Sequence, residues 1–307
     1  MKSLARRHVI AGMAGVFAAS LAAGHTLPAL AGGTHLPEPE FDFLVALERR
    51  VGGRLGAAFL NGTSGAIVGH RLDERFTMCS TFKLSLAAAV LARIDAGTLH
   101  GTLPVPITER DVIGHSPAVK AALSQGALSI LALAEAAQTQ SDNGAANLLL
   151  RQIGGPEALT RFWYGLGDEV SRLDRYEPDL NTSHGEDYRD TSSPAAMAHS
   201  MAAILTGPVL SPASRQRLIR WMVATTTGAS RLRAGLPSGW RAGDKTGTMS
   251  ADDSPLIKVN DIAATWRPDG TPFFITAFYE PNPGTPVVEA EKALAEVGQI
   301  AARWLQP

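Results

Sequence analysis

The stretch Ser80-Thr81-Phe82-Lys83 is followed by an apolar run over residues 84–91, and the predicted fold is built around this segment. The run is apolar on all sides, which predicts a helix buried inside the protein. A serine at the first turn of such a helix lies near unpaired backbone N–H groups and the positive end of the helix dipole. Lys83 lies three residues on, on the same helical face, within reach of the Ser80 hydroxyl. A neutral lysine there can accept the serine proton, so the pair is a candidate for nucleophilic catalysis.

Helical periodicity continues through the middle of the chain, whereas strand patterns lie near its two ends. Helices are predicted at 81–96, 119–124, 129–139, 144–153, 156–165, 194–206 and 212–224, with two further amphipathic helices at 41–51 and 286–305. Strands are predicted at 56–60, 66–72, 240–248, 261–266 and 272–280. Asn61-Gly62 and Pro268-Asp269-Gly270 are typical of hairpin turns.

This order of elements predicts an α+β fold with one antiparallel sheet built from both chain ends and packed with helices. Residues 32–79 and 222–307 would form the sheet-containing lobe, and residues 80–221 would form an inserted all-helical lobe. A cleft between two such lobes is the expected place for a site that binds a small molecule.

The first 31 residues have the features of an export signal. Lys2, Arg6 and Arg7 form a positive region, 9–23 is uncharged, and Ala29-Leu30-Ala31 is typical of a cleavage site. The adjacent arginines resemble a twin-arginine signal, although an ordinary secretory signal with two arginines fits as well. We expect an exported protein, periplasmic or secreted, with no membrane association after cleavage, because no other uncharged apolar stretch reaches about 18 residues.

Composition narrows the classes of function further. The 307 residues are 45% hydrophobic and 19% charged, with a formal net charge of −1 and no run of five basic residues, which argues against a nucleic-acid partner. The single cysteine, Cys79, allows no internal disulfide. It precedes the candidate nucleophile but has no His or Lys at helical spacing on its own face, so we interpret it as a small buried residue.

Two further motifs follow the S-x-x-K pattern. Ser141-Asp142-Asn143-Gly144 lies between two predicted helices, where it is either a turn and helix cap or a loop that aims a hydroxyl and a carboxamide at a ligand. Lys245-Thr246-Gly247-Thr248 ends a predicted strand. It is either a solvent-facing edge or a site where Lys and Thr hold an anionic group and the glycine lets substrate backbone approach.

The three motifs in this order are the signature of class A β-lactamases and penicillin-binding proteins, and the chain resembles the class A serine β-lactamases over residues 38–305. Glu177-Pro178-Asp179-Leu180-Asn181 matches that family's E-x-x-L-N pattern, which penicillin-binding peptidases lack. Arg175 and Asp190 resemble the ion pair that closes the family's Ω-shaped loop, here 175–190.

The resemblance implies a role for each motif residue in β-lactam hydrolysis. Ser80 is the expected nucleophile, and Lys83 and Glu177 are alternative bases for its activation. Ser141 would pass a proton to the leaving nitrogen, and the backbone N–H groups of Ser80 and Thr248 would form the oxyanion hole. Glu177 and Asn181 would position the water molecule for deacylation. Asn143 would bind the acylamido group of the substrate. The substrate carboxylate would be bound by Lys245, Thr246 and Thr248.

Some positions depart from the family pattern. Many members carry a carboxylate-binding arginine on the strand after K-T-G, where this chain has the uncharged Asn260. Arg231 resembles the arginine that other members supply from a neighbouring segment, although it is also compatible with an exposed surface residue. His115 occupies the place of an aromatic gatekeeper, and 249–259 is longer than usual. Cys79 matches one cysteine of the serine carbapenemases, but the second is missing.

Three alternatives remain open. A D,D-peptidase would share acylation but not deacylation, and a non-catalytic β-lactam sensor would lack the deacylation base. A zinc hydrolase needs closely spaced histidines, and the eight in this chain show no H-x-H or H-x-x-x-H spacing. We therefore predict a monomeric serine hydrolase acting on penicillins and cephalosporins, with no metal and no cofactor.

Overall fold

The computed structural model describes residues 39–250 and 256–305. Their helices are α1 (Pro39–Val51), α2 (Phe82–Asp95), α3 (Pro117–Ala121), α4 (Ile130–Thr139), α5 (Asn143–Ile153), α6 (Pro156–Gly165), α7 (Pro194–Thr206), α8 (Pro212–Val223), α9 (Leu232–Gly235) and α10 (Val287–Trp304). Their strands are β1 (Arg54–Asn61), β2 (Ile67–His70), β3 (Phe76–Thr77), β4 (Pro104–Pro106), β5 (Ala127–Ser129), β6 (Thr191–Ser192), β7 (Arg241–Met249), β8 (Lys258–Trp266) and β9 (Pro272–Glu280). The predicted export signal 1–31 and the centre of the long 249–259 segment lie outside the described residues.

The main sheet joins strands from both ends of the chain. Its order is β2-β1-β9-β8-β7, and every neighbouring pair is antiparallel. This arrangement confirms the predicted α+β class and the origin of the sheet in two distant chain segments.

Helices cover the sheet on both faces. Along β1, Ala58 and Leu60 pack into the apolar cluster that contains α2, whereas Ala57 and Phe59 pack with α1 and α10. Successive side chains of a strand point to opposite faces, so a strand apolar at every position needs a partner on each side. Because both faces of β1 are covered, every residue between its two end residues is buried.

Helix α2 is buried along most of its length, as predicted from the apolar run. Every residue from Phe82 to Leu91 is buried, and α4, α5, α6, α7 and α8 pack around the helix. The hydroxyl of Ser85 accepts a hydrogen bond from the indole N–H of Trp163 at 2.9 Å, which satisfies the polar group inside this core. The first turn of α2 is therefore enclosed by the apolar core.

The β1–β2 hairpin is present, but its turn is not the two-residue turn typical of Asn-Gly. Gly65, not Gly62, has the positive φ of +73°, and its N–H donates to the carbonyl of Asn61 at 2.9 Å. The Asn61 side chain accepts from the N–H groups of Thr63 and Ser64, so the asparagine caps a longer loop.

The middle of the chain is not purely helical, and in this respect the expectation of an all-helical segment 80–221 is wrong. β4 pairs with β5, and β3 pairs with β6 just after the loop 175–190. Each pair is two or three residues long, too short for a period-two pattern to reveal it. The division into two lobes stays a prediction. Among the described residues, no helix has the length and apolar character needed to cross a bilayer.

Candidate active site

The candidate nucleophile lies on a 3₁₀ turn, Cys79–Thr81, that leads into α2. Ser80 is 9% exposed, and its hydroxyl oxygen accepts a hydrogen bond from Lys83 Nζ at 2.8 Å. The same hydroxyl donates to Glu177 Oε1 at 3.3 Å. Ser80 therefore has two groups within proton-transfer distance, one from the first turn of α2 and one from the loop 175–190.

Lys83 is fully buried, and its ammonium group contacts four oxygen atoms. Besides Ser80 Oγ, it donates to the carbonyl of Ser141 at 3.0 Å and to Asn143 Oδ1 at 2.5 Å. Glu177 Oε1 lies 3.0 Å from its nitrogen. Burial lowers the pKa of Lys83, while the carboxylate of Glu177 acts in the opposite direction. Burial thus moves the lysine toward the neutral form that a base requires.

The loop 175–190 is closed at its ends by the predicted ion pair. Arg175 Nε donates to Asp190 Oδ2 at 2.5 Å, and the carboxylate of Asp190 is almost entirely buried. Its Oδ1 accepts from the backbone N–H groups of Asp174 and Arg175 at 2.7 and 3.0 Å. A buried carboxylate with these donors ties the two ends together, which matches a compact Ω-shaped loop.

Asn147, a residue not predicted from the sequence, holds the backbone of Glu177. Its Oδ1 accepts from the Glu177 N–H at 2.9 Å, and its Nδ2 donates to the Glu177 carbonyl at 2.9 Å. One amide side chain thus pairs with both backbone groups of one residue. The available signal was a single polar residue within the apolar part of α5, one helical turn after Asn143.

Asn181 contacts the other oxygen of the Glu177 carboxylate. Its Nδ2 donates to Glu177 Oε2 at 2.7 Å and to the carbonyl of Pro178 at 2.8 Å. Its Oδ1 is buried and accepts no hydrogen bond from the described residues. Glu177 and Asn181, the two residues predicted to position a water molecule, therefore lie in contact. The Oδ1 atom of Asn181 remains available to accept a hydrogen bond from that water.

The S-D-N motif is both a helix cap and part of the site. Ser141 has a left-handed backbone conformation, with φ of +58°, and its hydroxyl accepts from Lys245 Nζ at 2.9 Å. Asp142 caps α5 by accepting from the N–H of Ala145 at 2.8 Å, and it also binds backbone N–H groups of α3. The carboxylate holds the turn, so the flanking Ser141 and Asn143 side chains remain for chemistry.

Lys245 extends from β7 to the same place as Ser141. It is fully buried, and it donates to Ser141 Oγ and to the carbonyl of Thr246 at 2.8 Å. Burial and the positive charge of Lys83 lower the pKa of Lys245 well below its ordinary value. The interpretation of Lys245 as a solvent-facing edge residue is wrong, because α8 packs against β7.

Gly247 is required by a close approach within the protein itself. A Cβ atom at this position would lie 2.6 Å from the carbonyl oxygen of Met78, which belongs to the segment that leads to the nucleophile. We expected the glycine to admit substrate backbone, but the structure gives it another role. The missing side chain lets β7 pack directly against the turn that carries Ser80.

Arg231 is a buried part of the site rather than an exposed surface residue. Its Nη1 donates to the carbonyls of Gly247 and Asn260 at 3.1 and 2.8 Å, and its Nη2 donates to Thr248 Oγ1 at 2.7 Å. Its Nε donates to Glu291 Oε1 at 3.0 Å. The guanidinium therefore joins β7, β8 and α10.

Asn260 does not lie in the cleft, so it is not a substitute for a carboxylate-binding arginine. It is buried, and its Nδ2 donates to the carbonyls of Thr77 and Met78 at 2.9 and 3.1 Å. This side chain anchors the backbone just before Ser80.

Cys79 and His115 also carry reactive side chains, and their environments differ. Cys79 is fully buried, as predicted, and burial raises the pKa of its thiol to about 12. A neutral, buried thiol is a poor nucleophile. His115 is exposed, and its Nε2 donates to the carbonyl of Gln140 at 2.9 Å. Within residues 39–250 and 256–305, no three His, Cys, Asp or Glu side chains are grouped in a way that could hold a metal ion.

A cleft of about 260 Å³ gathers most of the predicted site residues. Its lining residues are Ser80, His115, Ser141, Asn143, Glu177, Asn181, Thr227, Arg231, Thr246 and Thr248. A larger cavity of about 570 Å³, next to α6, contains none of these residues. The convergence of titratable and hydrogen-bonding groups, rather than volume, identifies the smaller cleft as the candidate active site.

Comparison with known proteins supports this assignment. A family model described as the Beta-lactamase enzyme family matches residues 42–305. Beta-lactamase L2 of Stenotrophomonas maltophilia is 41% identical, over 85% of this chain and 84% of that protein. Beta-lactamase FAR-1 of Nocardia farcinica is 40% identical, over 81% of this chain and 77% of that protein.

Solved structures agree with the sequence matches. The class A β-lactamase of the last common ancestor of Gram-negative bacteria has a TM-score of 0.83 and 45% identity, over 88% of this chain and 100% of that chain. A β-lactamase from Burkholderia vietnamiensis has a TM-score of 0.82 and 45% identity, over 88% and 98% of the two chains. The fold, the motifs and these similarities together show that the chain belongs to the class A serine β-lactamases, enzymes that hydrolyse β-lactams.

Proposed function

We propose that hydrolysis proceeds through an acyl-enzyme on Ser80, followed by transfer of the acyl group to water. The observation that carries this proposal is the contact of one serine hydroxyl with both Lys83 Nζ and Glu177 Oε1, at 2.8 and 3.3 Å. Attack of Ser80 Oγ on the lactam carbonyl forms the C–O bond, and collapse of the tetrahedral species breaks the C–N bond of the ring. Loss of the intact drug in this way produces β-lactam resistance.

The proton of Ser80 has two possible acceptors. Lys83 is buried and depressed in pKa, and its nitrogen already contacts the serine oxygen. Glu177 can accept the proton directly or through a water molecule. Both routes end with the proton inside the same buried pair, whose members lie 3.0 Å apart.

Departure of the ring nitrogen needs a proton, and Ser141 is placed to supply it. Its hydroxyl is bonded to Lys245 Nζ at 2.9 Å, and its carbonyl is bonded to Lys83 Nζ at 3.0 Å. When protonated, Lys245 can replace the proton that the Ser141 hydroxyl passes on. The positive charges also favour the developing negative charge of the transition state.

Deacylation depends on a water molecule between Glu177 and Asn181. Glu177 acts as the general base, and Asn181, bonded to its Oε2 at 2.7 Å, has an unpaired Oδ1 that can orient the water. Asn147 fixes the Glu177 backbone so that the carboxylate faces Ser80. This arrangement favours a hydrolase over a D,D-peptidase or a sensor, which need no second base.

Substrate recognition uses the other cleft residues. The backbone N–H groups of Ser80 and Thr248 form the oxyanion hole. Asn143 Oδ1 is occupied by Lys83, so its Nδ2 is the atom left to bind the carbonyl of an acylamido group. The substrate carboxylate binds a second group of residues: Lys245, Thr246, Thr248 and Arg231. Penicillins and cephalosporins carry a lactam carbonyl, an acylamido group and a carboxylate, which are the three groups that these residues would bind. We further propose that the protein is exported and acts as a monomer.

The proposal is tested by steady-state kinetics with a penicillin, a cephalosporin and a carbapenem, together with a D-Ala-D-Ala peptide. We expect rapid hydrolysis of the first two and none of the peptide. Digestion of protein quenched during turnover should place the acyl group on the peptide that contains Ser80. Peptide cleavage with slow release of penicillin would instead indicate a D,D-peptidase.

Arg231→Ala should lower kcat/KM for penicillins by about ten- to a hundredfold, because it removes a charged donor from the carboxylate pocket. Arg233→Ala is the matched control, since Arg233 binds Asp244 and the carbonyl of Thr225 rather than lining the cleft. Both variants should lose stability, but only Arg231→Ala should impair carboxylate recognition. Equal kcat/KM values for the two would show that the lysine and threonines suffice.

Asn260→Ala should lower the free energy of unfolding by roughly 2 kcal/mol, because two buried hydrogen bonds to backbone carbonyls are lost. It should also slow acylation, since these carbonyls lie just before the nucleophile. Urea unfolding and acylation kinetics provide the measurements. Asn282→Ala, in an exposed loop, should change stability by less than about 0.5 kcal/mol. Similar free energies of unfolding for Asn260→Ala and Asn282→Ala would mean that the hydrogen bonds of Asn260 are dispensable.

A further inference from the structure

Lys258 is a buried cation that the proposed mechanism does not use. It is the first residue of β8 and is 6% exposed. Within the described residues, no carboxylate lies within 4.0 Å of its nitrogen, unlike the buried Lys83. A buried ammonium without a counter-ion is costly unless hydrogen bonds satisfy all three of its protons.

Three oxygen atoms satisfy the ammonium group, and two of them belong to the loop 175–190. Lys258 Nζ donates to Thr77 Oγ1 at 2.8 Å, to the carbonyl of Asn181 at 3.0 Å, and to the carbonyl of Ser183. Thr77 also donates to the carbonyl of Ser183 at 2.8 Å. The lysine therefore connects the start of β8, the segment before the nucleophile and the loop 175–190.

The contact with Asn181 is the functionally important one. Lys258 is the only donor to the Asn181 carbonyl among the described residues, whereas the Asn181 side chain donates to Glu177 Oε2. Fixing the backbone of Asn181 limits the movement of its amide relative to the Glu177 carboxylate. A displacement of about 1 Å at a reacting group can cost a hundredfold in rate.

We propose that Lys258 is a positioning residue for deacylation, which holds Asn181 so that its amide and the Glu177 carboxylate orient the hydrolytic water. This inference rests on the proposed roles of Ser80, Glu177 and Asn181. The lysine touches neither the substrate nor the reacting atoms. Without the lysine, Thr77 keeps its hydrogen bond to Ser183, and Asn260 still holds the backbone before Ser80. Removal of Lys258 should therefore affect mainly the second half of the reaction.

The test compares Lys258→Met, which keeps the length but removes all donors, with Lys258→Gln, which keeps an amide donor. Rapid-quench mass spectrometry with a penicillin measures acylation and deacylation separately. We expect deacylation to fall roughly ten- to a hundredfold in Lys258→Met, with acylation changed by less than about threefold and partial rescue in Lys258→Gln. The proposal would be overturned if acylation and deacylation fell by the same factor, or if neither rate changed.

A double-mutant cycle with Asn181→Ala separates positioning from general stability. If Lys258 acts through Asn181, Lys258→Met should change deacylation by less than about twofold once the Asn181 side chain is absent. Additive losses would reject the mechanism. Melting temperatures of all variants establish folding, and Lys258→Gln replaces Lys258→Met in the cycle if the latter does not fold. Undiminished deacylation in Asn181→Ala and Glu177→Ala themselves would reject the proposed function instead.

Discussion

Ser80→Ala is expected to abolish covalent labelling by a fluorescent penicillin and to lower kcat by at least about 10⁴-fold. Its hydroxyl is the atom that Lys83 and Glu177 both contact, and alanine leaves neither base a proton to accept. Labelling is read from a gel and from the mass of the intact protein, and turnover from the loss of lactam absorbance.

Ser85→Ala provides the matched control for this prediction. Ser85 is buried in the helix that follows Ser80, but its hydroxyl binds Trp163 and lies outside the cleft lining. This variant should lose about 1–3 kcal/mol of stability because the indole N–H is left unpaired, yet it should label fully. Full labelling of Ser80→Ala would show that another residue forms the acyl-enzyme.

Glu177→Ala is expected to acylate and then to release product at least about a thousandfold more slowly, because the acyl-enzyme loses the base for its water. Mass spectrometry should show an accumulated penicilloyl adduct on the variant and little on the wild type. The acylation rate of the same variant also tests the first step. If it is unchanged, Lys83 suffices as the base for Ser80, and if it falls, Glu177 takes part in both half-reactions.

Glu186→Ala is the control for the loss of a negative charge from the same loop, since Glu186 is exposed. It should hydrolyse penicillin at the wild-type rate. Rapid turnover of Glu177→Ala would remove the main physical reason for assigning deacylation to this carboxylate.

The findings for Asn260 and Gly247 share one physical cause, which is the geometry of the sheet. In the register of β7 and β8, Asn260 lies opposite Gly247. Its side chain nevertheless points to the backbone before Ser80 rather than into the cleft. A position counted along a strand does not specify which neighbour lies above it, so the sequence could not show that Asn260 binds the segment before Ser80. The same limit applied to Gly247, whose close neighbour is Met78.

The amino-acid sequence by itself determined the buried helix α2, the order of strands and helices, and the motif residues that surround the cleft. These features are local, because Ser80 and Lys83 are one helical turn apart and strand alternation has a period of two residues. Only the tertiary structure decided the roles of Asn147, Arg231 and Lys258. Each acts through partners at least 16 residues away in the chain, the separation of Arg231 from Gly247. Such contacts depend on how loop, sheet and helix pack together, which no short-range pattern encodes.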